Sequence, residues 1–272
     1  MNIVEERMQT SSWYEVGASS ILGTRQYQQD FGYFYTGEKE VLAAVCDGMG
    51  GLEGGERASK AAVQQLVQDF HNCQNIPSVP EFFAREARRM NQAVNTLKGK
   101  NGKKLNAGTT FVGVYCRENQ MYWVSVGDSR IYLIRGNGIQ TLNREHNYRL
   151  TLKSQLDSGM ITREFYDLEE KTPQADALIS FLGMEEVKLV DGNQKPVGLM
   201  AGDWILLCSD GVYKSLSDSQ VFAMVQDNDI DMGIAADRTT AMALRYGMRG
   251  QDNTTVILIR YLGNSSDGRQ IG

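Results

Sequence analysis

The chain has 272 residues, 42% of them hydrophobic, and a formal net charge of −5. That length buries a sizeable core, and the acidic balance, with one short basic cluster at 98–104, excludes a nucleic-acid footprint. No apolar run approaches the ~20 residues of a membrane span, so neither nucleic acid nor membrane is expected as a partner.

The first residues, MNIVEERMQTSS, are charged and lack the apolar stretch of a signal peptide. Four scattered cysteines (Cys46, Cys73, Cys116 and Cys208) form no CxxC pair, which suits reduced thiols. A cytoplasmic, soluble protein is expected. Four prolines and no Ser/Gly-rich tract argue against a linker. One domain is expected over 1–272, with its core at about 13–262.

In chain order, a strand is expected over 13–21, then a loop carrying Arg25 and Asp30, then a strand over 31–35. The apolar run 41–46 ends on Asp47, and five glycines crowd the next eight residues (Gly48, Gly50, Gly51, Gly54 and Gly55). Apolar residues then resume at helical spacing: Ala58, Ala62, Leu66, Phe70. The pattern is a buried strand delivering one carboxylate to a bare-backbone turn, with a helix over about 56–71. Such an Asp either caps the helix or supplies a hard oxygen ligand to an ion. A second helix follows Pro80, with Phe83, Ala87, Met90, Val94 and Leu97 on one stripe. His71 reads as structural, and 98–104 as a solvated basic loop.

The period then changes to two. Strands are expected at 110–116 and 121–126, joined by a hairpin turn at 117–120, and at 129–135 after Gly127-Asp128. Asn137-Gly138 signals a further hairpin with a type I′ turn. Consecutive hairpins make an antiparallel meander rather than a doubly wound parallel sheet. Residues 143–184 are polar, with apolar positions that fit short helices, and form a small helical insertion, or flap, over one edge. His146 within it reads as a polar contact. Strand patterns return at 186–190 and 203–208, the second running into Ser209-Asp210-Gly211. Helices over 218–226 and 231–246 precede a last strand, 254–262, entered through Gln251-Asp252-Asn253.

Asp47, Asp128, Asp210 and Asp252 thus each end a strand or enter one beside a Gly or Asn, and Asp30 begins one. All-oxygen ligands favour Mg²⁺ or Mn²⁺, and two histidines with no paired cysteines fit zinc poorly. Two hard cations sharing one Asp would activate a bridging water for in-line attack on phosphorus. That chemistry suits phosphoester hydrolysis.

Seven short motifs stand in one order along the chain: Arg25 with Gln28-Gln29-Asp30, Asp47-Gly48-Met49-Gly50-Gly51, Gly54-Gly55-Glu56, Gly108-Thr109-Thr110, Gly127-Asp128-Ser129-Arg130, Ser209-Asp210-Gly211 and Asp252-Asn253-Thr254-Thr255. In that order and spacing the chain resembles the metal-dependent type 2C (PPM-type) protein serine/threonine phosphatases, over about residues 13–260. The resemblance implies an α+β fold, a four-layer β-sandwich of two antiparallel sheets flanked by helix pairs, with the flap beside the active site. It implies a hydroxide bridging two Mn²⁺ or Mg²⁺ ions, attacking phosphoserine or phosphothreonine in proteins. Asp47 would bridge the ions, the Gly48 carbonyl would bind one, and Asp210 and Asp252 would complete the other, with Asp30 in support. Arg25 would grip the substrate phosphate. Asp128 matches the position linked to a third metal in bacterial members, giving two or three ions in all. A serine/threonine kinase and its targets are the implied partners. The competing reading is a catalytically inactive module that keeps the fold for binding or sensing. Two departures stand out. Met49 occupies the place of the eukaryotic-type His acid, which makes the resemblance bacterial, and Gln28-Gln29 replaces the common Asn-Glu or Asn-Gln.

Overall fold

The computed structural model describes residues 8–73, 75–225, 230–247 and 250–263. Its first half runs β1 (Met8–Thr10), β2 (Tyr14–Ile21), β3 (Asp30–Thr36), β4 (Glu40–Met49), α1 (Gly51–Asn72), α2 (Val79–Asn95), β5 (Gly108–Thr109), β6 (Phe111–Arg117) and β7 (Gln120–Val126). Then follow β8 (Arg130–Arg135), β9 (Gly138–Thr141), α3 (Tyr148–Asp157), α4 (Arg163–Glu169), β10 (Asp191–Gly192), β11 (Val197–Gly198), β12 (Trp204–Cys208), α5 (Asp210–Tyr213), α6 (Asp218–Met224), α7 (Met232–Gly247) and β13 (Thr254–Tyr261).

The strands form two antiparallel sheets. One has the order β1-β2-β13-β12-β8-β9; the other has β10-β7-β6-β4-β3, with β11 also on β7 and β5 on β4. The near-continuous apolar runs of the central strands are explained by burial on both faces. In β4, Val41, Ala43 and Val45 enter the core between the sheets, while Leu42, Ala44 and Cys46 face the side covered by α1 and α2. β12 and β13 repeat the pattern. Ile205, Leu207, Ile257 and Ile259 point inward, and Leu206, Cys208, Val256 and Leu258 pack toward α5, α6 and α7. Period-two alternation thus builds three apolar layers between four layers of structure. Each fully buried Leu or Ile contributes about 1.5–3 kcal/mol. This is the expected α+β sandwich flanked by helices.

Several local expectations need correction. α1 begins at Gly51, not at 56, so the second pair of glycines lies inside its first turns. The stretch 186–190 forms no strand. Ser180 Oγ instead donates to the Leu189 carbonyl and accepts from its N–H, and the short β10 and β11 take the edge of β7. The β8–β9 turn is Gly136-Asn137, since Arg135 pairs with Gly138. Gly136 takes the positive φ of 54° and Asn137 takes none, which is incompatible with type I′. His71, read as structural, meets the Tyr33 hydroxyl at 3.1 Å. The cysteines are free, and Lys98 and Lys104 close an exposed loop by an isolated bridge.

Candidate active site

The register of two strands makes the first link. Asp30 opens β3 and lies directly across from Asp47 near the end of β4. Directly opposed like charges repel, so this pairing is costly unless something uses it. Asp30 is buried, and its Oδ2 accepts from Ser209 Oγ at 2.7 Å. Ser209 Oγ in turn accepts from the Thr255 N–H at 3.0 Å. One serine therefore ties β3 of one sheet to β12 and β13 of the other and fixes Asp210, the next residue, at the same end of the sandwich.

The turn after Asp47 is held from both sides. The Asp47 N–H donates to Thr110 Oγ1 at 2.9 Å, and its carbonyl accepts from the N–H of Thr110 and the hydroxyl of Thr109. A Cβ on Gly48 would lie 2.1 Å from the Gly55 carbonyl oxygen, so the strand end and the first turns of α1 require glycine at both positions. Gln28 and Gln29 hold the neighbouring loop. Gln28 Oε1 accepts from the Asp30 N–H and its Nε2 donates to Ser20 and Ile21, while Gln29 Nε2 donates to the Gly51 carbonyl. The Gln29 N–H reaches Asn253 Oδ1 at 2.8 Å, and Asn253 Nδ2 donates to the Leu22 carbonyl. The glutamine pair therefore keeps an intact network around Asp30.

Arg25 and Asp252 meet across this clamp, with Nη2 of the arginine 2.5 Å from Oδ2 of the aspartate. Asp128 is buried in the β7–β8 loop. His146, fully buried, accepts from the Gly127 N–H at Nδ1 and lies 3.5 Å from Asp191 through Nε2. It is the polar contact expected, one residue from Asp128. Lys214 pairs with Asp210 Oδ2.

The electrostatics show the convergence. Burial and the fields of Asp30, Asp210, Asp128 and Asp252 together push the Asp47 carboxyl well above the usual carboxylate range. Burial is likewise the main cause for Asp30 and Asp128, each pushed up to about 7, with Asp210 adding to both. The register of Asp30 with Asp47, the Ser209–Asp30 and Gln29–Asn253 bonds and the pairing of Arg130 with Cys208 bring all five aspartates to one end of the sandwich. Their side chains do not close into a ligand cage as they stand. Among the described residues no three His, Cys, Asp or Glu groups are arranged to hold a metal, and Arg25 and Lys214 each draw an outer carboxylate aside. The donor chemistry nonetheless fits a hard divalent cation. Asp30 Oδ1 and Asp210 Oδ1 are buried without a hydrogen-bond partner, and the donors gathered there are carboxylate oxygens.

Sequence reasoning missed Ser209 as a tie, Lys214 and Tyr213. The four-residue interval from Asp210 to Lys214 is a helical signal, but α5 is a single turn with no amphipathic stripe to reveal it.

A family model described as "Protein phosphatase 2C" matches residues 16–237. The chain belongs to the protein phosphatase 2C family. It is 29% identical over 238 residues to protein phosphatase PhpP of Streptococcus pneumoniae, covering 86% of this chain and 92% of that one. The catalytic domain of the serine/threonine phosphatase PstP, in complex with 2 manganese ions, superposes with a TM-score of 0.72 at 25% identity, covering 92% and 99% of the two chains. The S. agalactiae serine/threonine phosphatase superposes at 0.77 over 91% and 99%, and at 23% identity that likeness carries the fold. The bacterial type 2C character implied by the motifs is thereby borne out.

Proposed function

We propose that this chain is a metal-dependent phosphatase that hydrolyses phosphoserine and phosphothreonine in proteins. Membership of the 2C family supports the reaction class. The observation that carries the reading is the gathering of five carboxylates at one sandwich end, with two buried oxygens left without partners. In this reading two Mn²⁺ or Mg²⁺ ions would be held by Asp47, the Gly48 carbonyl, Asp210 and Asp252, with Asp30 in support, and Asp128 would be the ligand of a third. When bound, such ions supply Lewis-acid activation of water for in-line attack on phosphorus.

The chain's own residues do the rest. Ser209 keeps Asp30 aimed at Asp47, and the Thr109–Thr110 bonds fix the Asp47 backbone. Arg25, more than half exposed at the rim, is free to swing from Asp252 to a substrate phosphate, where its planar fork matches two oxygens. Met49, at the end of β4, has no proton to give a leaving seryl or threonyl oxygen. The chain is read as one phosphatase domain acting in the cytoplasm, opposite a serine/threonine kinase and on its targets.

The test is hydrolysis of a phosphothreonine peptide by the purified protein with Mn²⁺. Steady release of phosphate supports the reading. Binding of the peptide without release would favour the inactive sensor module.

A further inference from the structure

Asp210 divides its two oxygens between different tasks. Oδ1 is buried with no hydrogen-bond partner, whereas Oδ2 is taken by the Lys214 ammonium, one helical turn on. Lys214 reaches beyond that one contact. Its charge also acts on Asp128 in the β7–β8 loop and on Asp176, which lies in the short 3-10 turn Pro173–Asp176 of the helical insertion. The Tyr213 hydroxyl adjoins the same place, buried without a partner, within the field of Asp128 and Asp210. The Tyr213 ring is held by the Arg130 guanidinium, 3.7 Å from its centroid. Arg130 of β8 pairs in register with Cys208 of β12, so the loop carrying Asp128 lies beside the start of α5, where Lys214 meets Asp210. Lys214 is nearly half exposed, so its flexible stem can leave for solvent at small cost.

We propose that Lys214 is a resident cation for Asp210 and Asp128 that competes with a third divalent ion for them. It thereby sets the metal concentration at which that position fills. The inference rests on the reading of the five aspartates as a metal centre. Its physical basis is simple. The two carboxylates need positive charge nearby, and an ammonium bound to Oδ2 and a divalent ion on the same oxygen exclude one another. With the ammonium seated, only Asp210 Oδ1 is open to a cation and the third position would be weak. With it gone, Asp210 and Asp128 are both available to an added ion, while Asp176 keeps its own countercharge in Arg149 at 3.0 Å.

The experiment is calorimetric titration of Mn²⁺ into the metal-stripped parent protein and its Lys214→Met and Lys214→Arg variants, with thermal melts confirming the fold of each. The parent is expected to bind two ions tightly and a third weakly or not detectably. Lys214→Met should strengthen the third step by roughly tenfold or more while leaving the first two unchanged. Lys214→Arg keeps the charge and should follow the parent. An equal third step in parent and Lys214→Met overturns the competition and leaves the metal centre standing. Strengthening by Arg as large as by Met also overturns it, because shape rather than charge would then be responsible. Failure of the parent and both variants to bind any Mn²⁺ tightly overturns the metal centre and the inference together.

Discussion

Among the described residues two clusters of buried acids stand out, and the chain supplies their countercharge differently. Between α1 and α2, Asp69 and Glu86 are buried side by side. Arg89 Nε lies 3.1 Å from Asp69, Gln65 Nε2 donates to it at 2.6 Å, and Arg85 Nε lies 2.9 Å from Glu86. Both arginines come from α2 and give each acid a guanidinium within ion-pair reach, although Glu86 Oε2 is itself buried without a hydrogen-bond partner. At the sandwich end, Asp30 and Asp47 are opposed across two strands, Asp128 is buried, and the cations present, Arg25 and Lys214, hold only the outer pair. In the helix cluster each acid thus has its own cation, supplied by α2. At the sandwich end, Asp30, Asp47 and Asp128 have no ion-pair partner among the described residues, and Asp30 Oδ1 and Asp210 Oδ1 are bare, which is the mark of a site that takes its charge from outside.

Neutralising acids one at a time sharpens that contrast. Asp47→Asn, Asp210→Asn and Asp252→Asn should each lower turnover of p-nitrophenyl phosphate by about 100-fold or more, with melting temperature unchanged or raised because repulsion is relieved. Asp69→Asn, in the other cluster, should leave turnover intact. Equal kinetic losses in both clusters would erase the distinction.

Arg25 tests the outer edge of the site. Arg25→Ala should cost about 2–4 kcal/mol in kcat/KM on a phosphopeptide, and Arg25→Lys should recover little of it, since an ammonium cannot reproduce the planar fork. Unchanged kinetics would reduce Arg25 to a countercharge for Asp252.

The smallest effect belongs to the structural cluster and appears only with pH. Burial, together with Asp69, pushes Glu86 up to about 7 from an ordinary value of 4.5. An acid raised in this way favours the folded state while protonated. Its contribution is full below about pH 4.5 and is lost as pH rises through about 7. Glu86→Gln removes that loss, so its stability relative to the parent should rise between pH 5 and pH 8 by about 1–3 kcal/mol in urea unfolding. A constant difference across that range would show Glu86 charged throughout.

Much of this was legible in the sequence because it depends on local pattern. Apolar runs ending on Asp47 and Asp210 marked the central strands, and Asp128, Asp252 and Arg25 were picked out from motif and position. What stayed hidden depends on contacts between distant segments. The start of α1 at Gly51 follows from the close approach of Gly48 and Gly55, which propensity opposes. The strand pattern of 186–190 signalled a strand, but Ser180 took the backbone groups of Leu189. The Asp30–Ser209 tie joins residues in different sheets and has no periodic signature. Lys214 sits on a helix one turn long, too short to announce itself.

The central claim is that the bare carboxylates at the sandwich end are completed by divalent metal. Its most direct test is the phosphothreonine-peptide activity of the purified protein through a cycle of chelation and metal return. Turnover should vanish after treatment with EDTA and reappear on addition of Mn²⁺ or Mg²⁺, and Asp47→Asn should fail to recover. Undiminished turnover in chelator, with elemental analysis showing no bound metal, would contradict the account.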